Sequence, residues 1–294
     1  MMWNMKRNIK VTIGFCVKNA EATVGQAIDS VLNQDFPRES MEIIVVDGYS
    51  KDRTLDVVKS KLENSEINSK IFCEKNGLGY ARQMVVDNAQ GDFIVWVDAD
   101  MVLSPNFVSK QVYFMEQTPK AGIAKGRYGI FKENSLVGIL EDLEFALTFR
   151  NEGETNLSLG ISGCIYRVKA LKQVGGFDTT IRGAGEDTEV ENRIKLAGWA
   201  LYVTPAIFYE KRRSTWRSLW NEYFWHGVGA SYVSRKNPRV IKNYKMFPPL
   251  ALFTEFLRVP SAYKLTGRGI AFLLPFHYIF KRMAWFFGFM KERL

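Results

Sequence analysis

Apolar positions along the chain fall into short runs that alternate with stretches of helical period. Residues 9–17, Ile-Lys-Val-Thr-Ile-Gly-Phe-Cys-Val, read as a first strand, and Val24, Ile28, Val31 and Leu32 then share one face of a helix over residues 22–33. Residues 42–47 form a second strand ending in Asp47. Val57, Val58 and Leu62 follow on a helix starting near Thr54, with Ser50 or Asp52 as its cap. A short strand at 70–73 leads into a loop with Gly77 and Gly79, which would let backbone approach a ligand. The next helix carries Val85, Val86 and Ala89 and stops at Gly91. The apolar run Phe93 to Val97 is too short for a helix and reads as a buried strand. Beyond it the pattern predicts a helix from Ser104-Pro105-Asn106, a strand over 121–131 and an amphipathic helix over 134–151. A strand within 160–168, a short helix at 169–174, a helix over 188–196 and a closing strand at 201–205 complete the body. Strands alternating with helices predict an α/β fold with a mostly parallel sheet flanked by helices.

The strand ends carry the candidate chemistry. Asp98 and Asp100 close the central run at its carboxyl end, where open α/β sheets place ligands, and in a straight strand they would share a face. Two carboxylates that close repel unless a cation lies between them, so a divalent metal with a phosphate-bearing ligand is one reading and a solvated turn the other. Asp47 repeats the arrangement and could accept from a base N–H or a ribose hydroxyl, or simply form a turn. Arg82 could pair with a phosphate, with Asp92 or with Asp98. A glycine stretch from Gly175 to Gly185 delivers Glu186, Asp187 and Glu189 to a helix start, where negative charge is favoured and a general base is well placed. Glu141, Asp142 and Glu144 read as a solvated charged face, with an acceptor site as the alternative. No Gly-x-Gly-x-x-Gly follows the first strand, so the dinucleotide signature is absent.

Charge divides the chain. Of 294 residues, 205–294 hold 16 Lys or Arg against 4 Glu, a net of +12, while 1–204 carry −3. A boundary near Pro205 is expected, with a catalytic body over 1–205 and a helical, membrane-associating region over 206–294. Trp216, Leu219, Trp220, Tyr223 and Phe224 suit an amphipathic helix over 214–236, and residues 246–257 and 269–290 are rich in Phe and Leu. The longest uncharged run there, Gly269 to Phe280, has 12 residues, below the roughly 20 a straight span needs. Helices lying at a lipid surface fit best, at the cytoplasmic face; packing on the body or on a second copy, or a costly span over 269–290, are the alternatives. Nucleic acid is not expected, because the basic residues are mixed with large apolar ones and no reading motif occurs. Met1 to Lys10 lacks an apolar signal core, so no secretory signal is expected. Cys16, Cys73 and Cys164 read as core thiols, and with two histidines and no CxxC no residue cluster suggests zinc.

Laid out in order, the motifs over residues 9–215 resemble the inverting family 2 glycosyltransferases of the GT-A fold. They are Asn19 and Glu21 after the first strand, Val45-Val46-Asp47-Gly48-Tyr49-Ser50-Lys51-Asp52-Arg53-Thr54, Asn76 to Arg82, Gly91 to Asp100, Gly175-Gly176-Phe177-Asp178 and Gly185-Glu186-Asp187. The resemblance implies a Rossmann-like sheet holding a nucleotide-sugar donor, a UDP-sugar sooner than a GDP-sugar. It implies Asp47 at the base with Asn19 and Glu21 nearby, Asp98 on the ribose or metal side, and Asp100 as direct ligand of Mg²⁺ or Mn²⁺ on the diphosphate. Arg82 would support the phosphates or order the aspartates. Asp187 would be the general base, with Glu186 orienting the acceptor or sharing the role. Gly185-Glu186-Asp187 favours a hydroxyl acceptor on a glycan or lipid-linked saccharide over the phosphate acceptor of polyprenyl-phosphate sugar synthases, which generally lack that element. A sugar nucleotidyltransferase would show a basic glycine-rich loop within Phe15 to Ala22, and none is there. A non-catalytic glycan-binding relative would have lost Asp100 or Asp187, and both are present. One departure stands out: where many relatives carry a histidine after the last body strand, this chain has Tyr209-Glu210-Lys211. Either Glu210 substitutes or the metal has fewer protein contacts. His226 reads as an aromatic-flanked helix residue, with a metal or acceptor role as the alternative.

Overall fold

A computed structural model describes residues 9–131, 135–238 and 254–291. The described chain divides into two compact units. The first comprises the residues up to Arg127, Glu152–Arg182 and Val190–Tyr209; the second comprises Tyr128–Asn151, Gly183–Glu189 and the residues from Glu210 onward.

The first unit is built on one sheet. Its strands are β1 (Val11–Val17), β2 (Met41–Asp47), β3 (Asn68–Cys73), β4 (Phe93–Trp96), β5 (Met101–Leu103), β6 (Ala121–Tyr128), β7 (Gly153–Glu154), β8 (Cys164–Arg167) and β9 (Ala200–Glu210). Helices α1 (Val24–Leu32), α2 (Thr54–Glu63), α3 (Leu78–Asn88) and α4 (Phe107–Gln117) connect the first strands, and α6 (Val168–Gln173) and α7 (Glu186–Leu196) follow β8. Strand order is β3-β2-β1-β4-β8-β6-β9-β5, with β7 paired to β9. β3, β2, β1 and β4 run parallel, and β8 is antiparallel to both β4 and β6. Strands β1, β2 and β4 are covered on both faces, which is why they read as unbroken apolar runs. Trp96 is fully buried beside Gly14, where a Cβ would come 2.8 Å from its ring, and it meets Phe177 edge-on at 5.5 Å. An added side chain at Gly14 would overpack this site at a cost of roughly 1–3 kcal/mol.

Some boundaries differ from the sequence pattern. The central strand ends at Trp96, and the chain turns so that Met101 N–H donates to the Asp98 carbonyl at 3.1 Å. Asp98 and Asp100 therefore lie on a turn and not on one face of a straight strand. β9 passes through Pro205, which is exposed, and continues to Glu210. Of the three cysteines only Cys164 is a core thiol; Cys73 is exposed and no two are bridged. Part of the apolar stretch 246–257 lies outside the described residues.

The second unit is helical: α5 (Leu136–Thr148), α8 (Trp216–Lys236), α9 (Val259–Thr266) and α10 (Leu274–Lys291). Ser135 caps α5 by accepting the Gly138 N–H at 2.9 Å, and Thr215 and Ser218 form a capping box at the start of α8. Leu140 and Leu143 of α5 pack with Ala262 and Leu274 in a buried cluster. Helices α8 and α10 meet backbone to backbone: a Cβ at Gly227 would fall 2.0 Å from the Trp285 carbonyl, and one at Gly288 would fall 2.0 Å from that of Phe224.

The charges of α5 are not a solvated face. Glu141 and Asp142 are fully buried and Glu144 nearly so. The ammonium of Lys281, itself buried, pairs with Glu141 and lies 2.8 Å from Glu144. The His277 ring nitrogens stand 3.4 Å from the same two carboxylates. Arg212 reaches Asp142 at 3.2 Å and Glu210 at 2.7 Å while stacking on Tyr128 and Phe145. Burial pushes the Asp142 carboxyl up to about 6 even with Arg212 beside it. Burial also disfavours the charge on Glu144, yet Lys281 and His277 more than offset it and hold that carboxyl below its ordinary range. A carboxyl so lowered stabilises the fold above its unfolded value and ceases to do so as pH falls through the folded value. Replacing Lys281 by Met is expected to cost roughly 3–5 kcal/mol near neutral pH, because two acids are left buried without their cation. Urea midpoints should also rise more steeply on acidification in the variant than in the parent, where Asp142 at about 6 alone gives such a rise, because protonation relieves the unpaired carboxylates.

Candidate active site

The carboxyl ends of β1, β2 and β4 carry the predicted donor-side residues of the first unit. Asp47, the last residue of β2, is buried, and its two oxygens accept the Ser50 N–H at 2.9 Å and the Ser50 hydroxyl at 2.6 Å. The Ser50 oxygen in turn accepts the Asn19 N–H at 2.9 Å, and the Asn19 side chain accepts the Lys51 N–H at 2.8 Å. Glu21 accepts the Arg53 N–H at 2.8 Å, while Asp52 accepts the Glu21 N–H at 3.2 Å and the Thr54 hydroxyl at 2.5 Å. The Thr54 bond holds the Asp52 carboxyl below its ordinary value. Asn19, Glu21 and Asp47 are thus brought together as a reciprocal clamp between the loops after β1 and β2. Two of its residues, Asn19 and Tyr49, hold positive φ of 49° and 55° without being glycine, and the Tyr49 ring is 58% exposed at the loop tip.

Asp98 is held from two sides. Arg82, buried on α3, lies over the Trp96 ring at 4.8 Å and donates to one Asp98 oxygen at 3.2 Å. Ser162 donates its hydroxyl to the other oxygen at 2.5 Å. The Ser162 carbonyl accepts from buried Lys125, and Gly163, at φ 66°, packs so close to Phe208 that a Cβ would overlap the ring. The loop before β8 is therefore fixed in the position that holds Asp98. Asp100 follows on the same turn and is half-buried.

Gly77 and Gly79 approach the chain itself. Leu78 and Gly79 donate to the carbonyls of Arg182 and Ile181 at 3.0 Å each, and a Cβ at Gly79 would lie 2.4 Å from the Asp178 carbonyl. The expected ligand loop is a docking seam for residues 178–182.

Glu186 and Asp187 begin α7 and belong to the second unit. Glu186 is buried; Asp187 is half-buried and accepts the Thr188 N–H at 2.6 Å. The preceding loop rests on α8: Gly185 has φ 103°, and a Cβ at Gly229 would sit 2.1 Å from the Ala184 carbonyl. His226, also on α8, lies between Tyr223 and Trp225, each ring 5.4 Å away, and burial pushes its imidazole below the ordinary value. Glu210 is ion-paired to Arg212.

Sequence reasoning missed Ser162, Tyr49, His277 and Lys281. Ser162 carried no signal beyond its glycine neighbours. The last two did: Glu141 and Glu144 are three apart, His277 and Lys281 four apart, each pair on one face of a mainly apolar helix. Among the described residues, Glu141, Glu144 and His277 form the one cluster with metal-ligand geometry, and Lys281 already supplies its cation.

The family description Glycosyl transferase family 2 matches residues 12–175, more than half of the chain. The chain belongs to glycosyl transferase family 2. The probable glycosyltransferase YdaM of Bacillus subtilis is 24% identical over 97% of this chain, which spans 65% of YdaM's own length. Among solved structures, the mannosyltransferase PcManGT from Pyrobaculum calidifontis, in complex with GDP-Man and Mn²⁺, superposes with a TM-score of 0.67 at 18% identity, over 97% of this chain and 87% of that one. S. aureus TarS 1–349 in complex with UDP-GlcNAc gives 0.54 at 18% identity, over 97% and 92%. At these identities the likeness is one of fold, the GT-A arrangement.

The clamp makes a separable prediction. Asn19→Gly removes an acceptor and is expected to cost roughly 1 kcal/mol. Asn19→Ala adds the left-handed backbone penalty and is expected to cost about 1–2 kcal/mol more. Denaturant midpoints of the two variants measure the difference.

Proposed function

We propose that the chain is a metal-dependent inverting glycosyltransferase that moves a sugar from a nucleoside-diphosphate sugar, a UDP-sugar by preference, to a hydroxyl of a glycan or lipid-linked saccharide. The observation that carries this reading is Asp98, oriented by Arg82 and Ser162 at the end of β4 with Asp100 on the same turn, in a chain of this family. The nucleotide sugars bound by the TarS and PcManGT structures support the donor class.

The carboxylates fit a hard divalent cation. Asp98 already accepts one hydrogen bond on each oxygen, so it is held in place with lone pairs to spare, and the Asp100 carboxylate on the same turn would ligate the cation directly. A bound Mg²⁺ or Mn²⁺ would neutralise charge developing on the departing diphosphate. Asp47 with Asn19 and Glu21 shapes the nucleoside end, and Tyr49 offers an exposed ring for a base. Asp187 removes the acceptor hydroxyl proton as the new bond forms, a role typically worth about 10²–10⁴-fold in rate, and Glu186 orients the acceptor. Attack opposite the leaving group inverts the anomeric centre.

A panel of UDP- and GDP-sugars with Mn²⁺, Mg²⁺ or EDTA, scored for nucleotide release and for donor binding by calorimetry, tests the reading. One donor should be consumed only with metal. Asp100→Ala should lose both donor binding and turnover. Asp187→Asn should bind donor as the parent does and lose about 10²–10⁴-fold in transfer. Metal-independent turnover, or full activity of Asp187→Asn, would sink the assignment.

A further inference from the structure

Helix α10 turns its ionisable groups inward and apolar side chains outward. His277 and Lys281 are buried beside Leu274, Ala284 and Phe289, whereas Phe276, Met283 and Phe287 are 59%, 42% and 50% exposed. A helix at the surface of a water-soluble unit has the reverse pattern. The exposed apolar surface continues along the preceding segment through Phe256, Leu257 and Phe272, at 49%, 68% and 59%. An apolar area of this extent marks a contact surface.

Charge identifies the partner. Residues 254–291 contain six Lys or Arg and one Glu. Lys281 is spent inside on Glu141 and Glu144 and Arg258 pairs with Glu255, which leaves Lys264, Arg268, Arg282 and Lys291. A second copy would bring the same positive charge against it. An anionic lipid surface accepts both features, with aromatic rings at the headgroup boundary and cations among phosphates. No helix among the described residues is long and apolar enough to cross a membrane.

We propose that the outward face of residues 254–291 docks on the surface of an anionic bilayer, with α10 lying in the plane of the headgroups and Phe276, Met283 and Phe287 inserted at the acyl boundary. The surface is independent of donor chemistry, so its failure would leave the transferase reading untouched.

The test is flotation of the full chain with vesicles of phosphatidylcholine alone or mixed with phosphatidylglycerol, at low and high salt, beside sedimentation of the protein without lipid. The parent should float with the mixed vesicles, less at high salt and less with phosphatidylcholine alone. The double variant Phe276→Glu with Phe287→Glu changes exposed side chains only. It should keep the parent's thermal midpoint and lose roughly tenfold or more of the bound fraction. Lys264→Glu with Arg268→Glu should lose the preference for the anionic lipid. Parent protein that stays in solution with the mixed vesicles would overturn the proposal, as would a folded double variant that floats like the parent. A dimer abolished by Phe276→Glu with Phe287→Glu, without flotation of the parent, would assign the face to a second copy instead.

Discussion

The second unit depends on one ammonium group lodged between two carboxylates. Lys281 can be buried only because Glu141 and Glu144 are buried opposite it, and those acids can be buried only because of Lys281. Neither helix could present these residues to an apolar neighbour, since an unpaired charge in that setting costs several kcal/mol. The pairing also sets the rotation of α10 about its own axis. With His277 and Lys281 turned inward, Phe276, Met283 and Phe287 have nowhere to go but out. An exposed apolar row is thus a geometrical result of an internal ion pair.

The same device recurs at the end of β4. Arg82 is buried against Trp96 and spends its charge on Asp98, while Ser162 fixes the second oxygen. A carboxylate that has no rotamer freedom left is preorganised for a cation or a ribose, and little ordering cost remains when a ligand arrives. The clamp at Asn19, Glu21 and Asp47 does this with backbone N–H groups in place of a guanidinium.

Much of the first unit was legible in the sequence because strands buried on both faces are written as unbroken apolar runs, and Asp47 and Asp98 close two of them. What could not be read was which group meets which. Glu141 and Lys281 are 140 positions apart, so the acids of α5 looked like a wet surface. Gly77 and Gly79 announced a close approach without saying that its object is the loop at 178–182. Pro205 looked like a terminator, yet it occupies an exposed position along β9, where a missing N–H is tolerated.

The glycines of α8 have a mechanical meaning. Gly227 admits the backbone of α10 and Gly229, two residues along, admits Ala184, just before the acids that open α7. Both joints are main chain against main chain, with no compressible side chain between. A side chain at either glycine would therefore wedge main chain from main chain, so the seating of α10 and of the segment that opens α7 on α8 rests on two missing Cβ atoms.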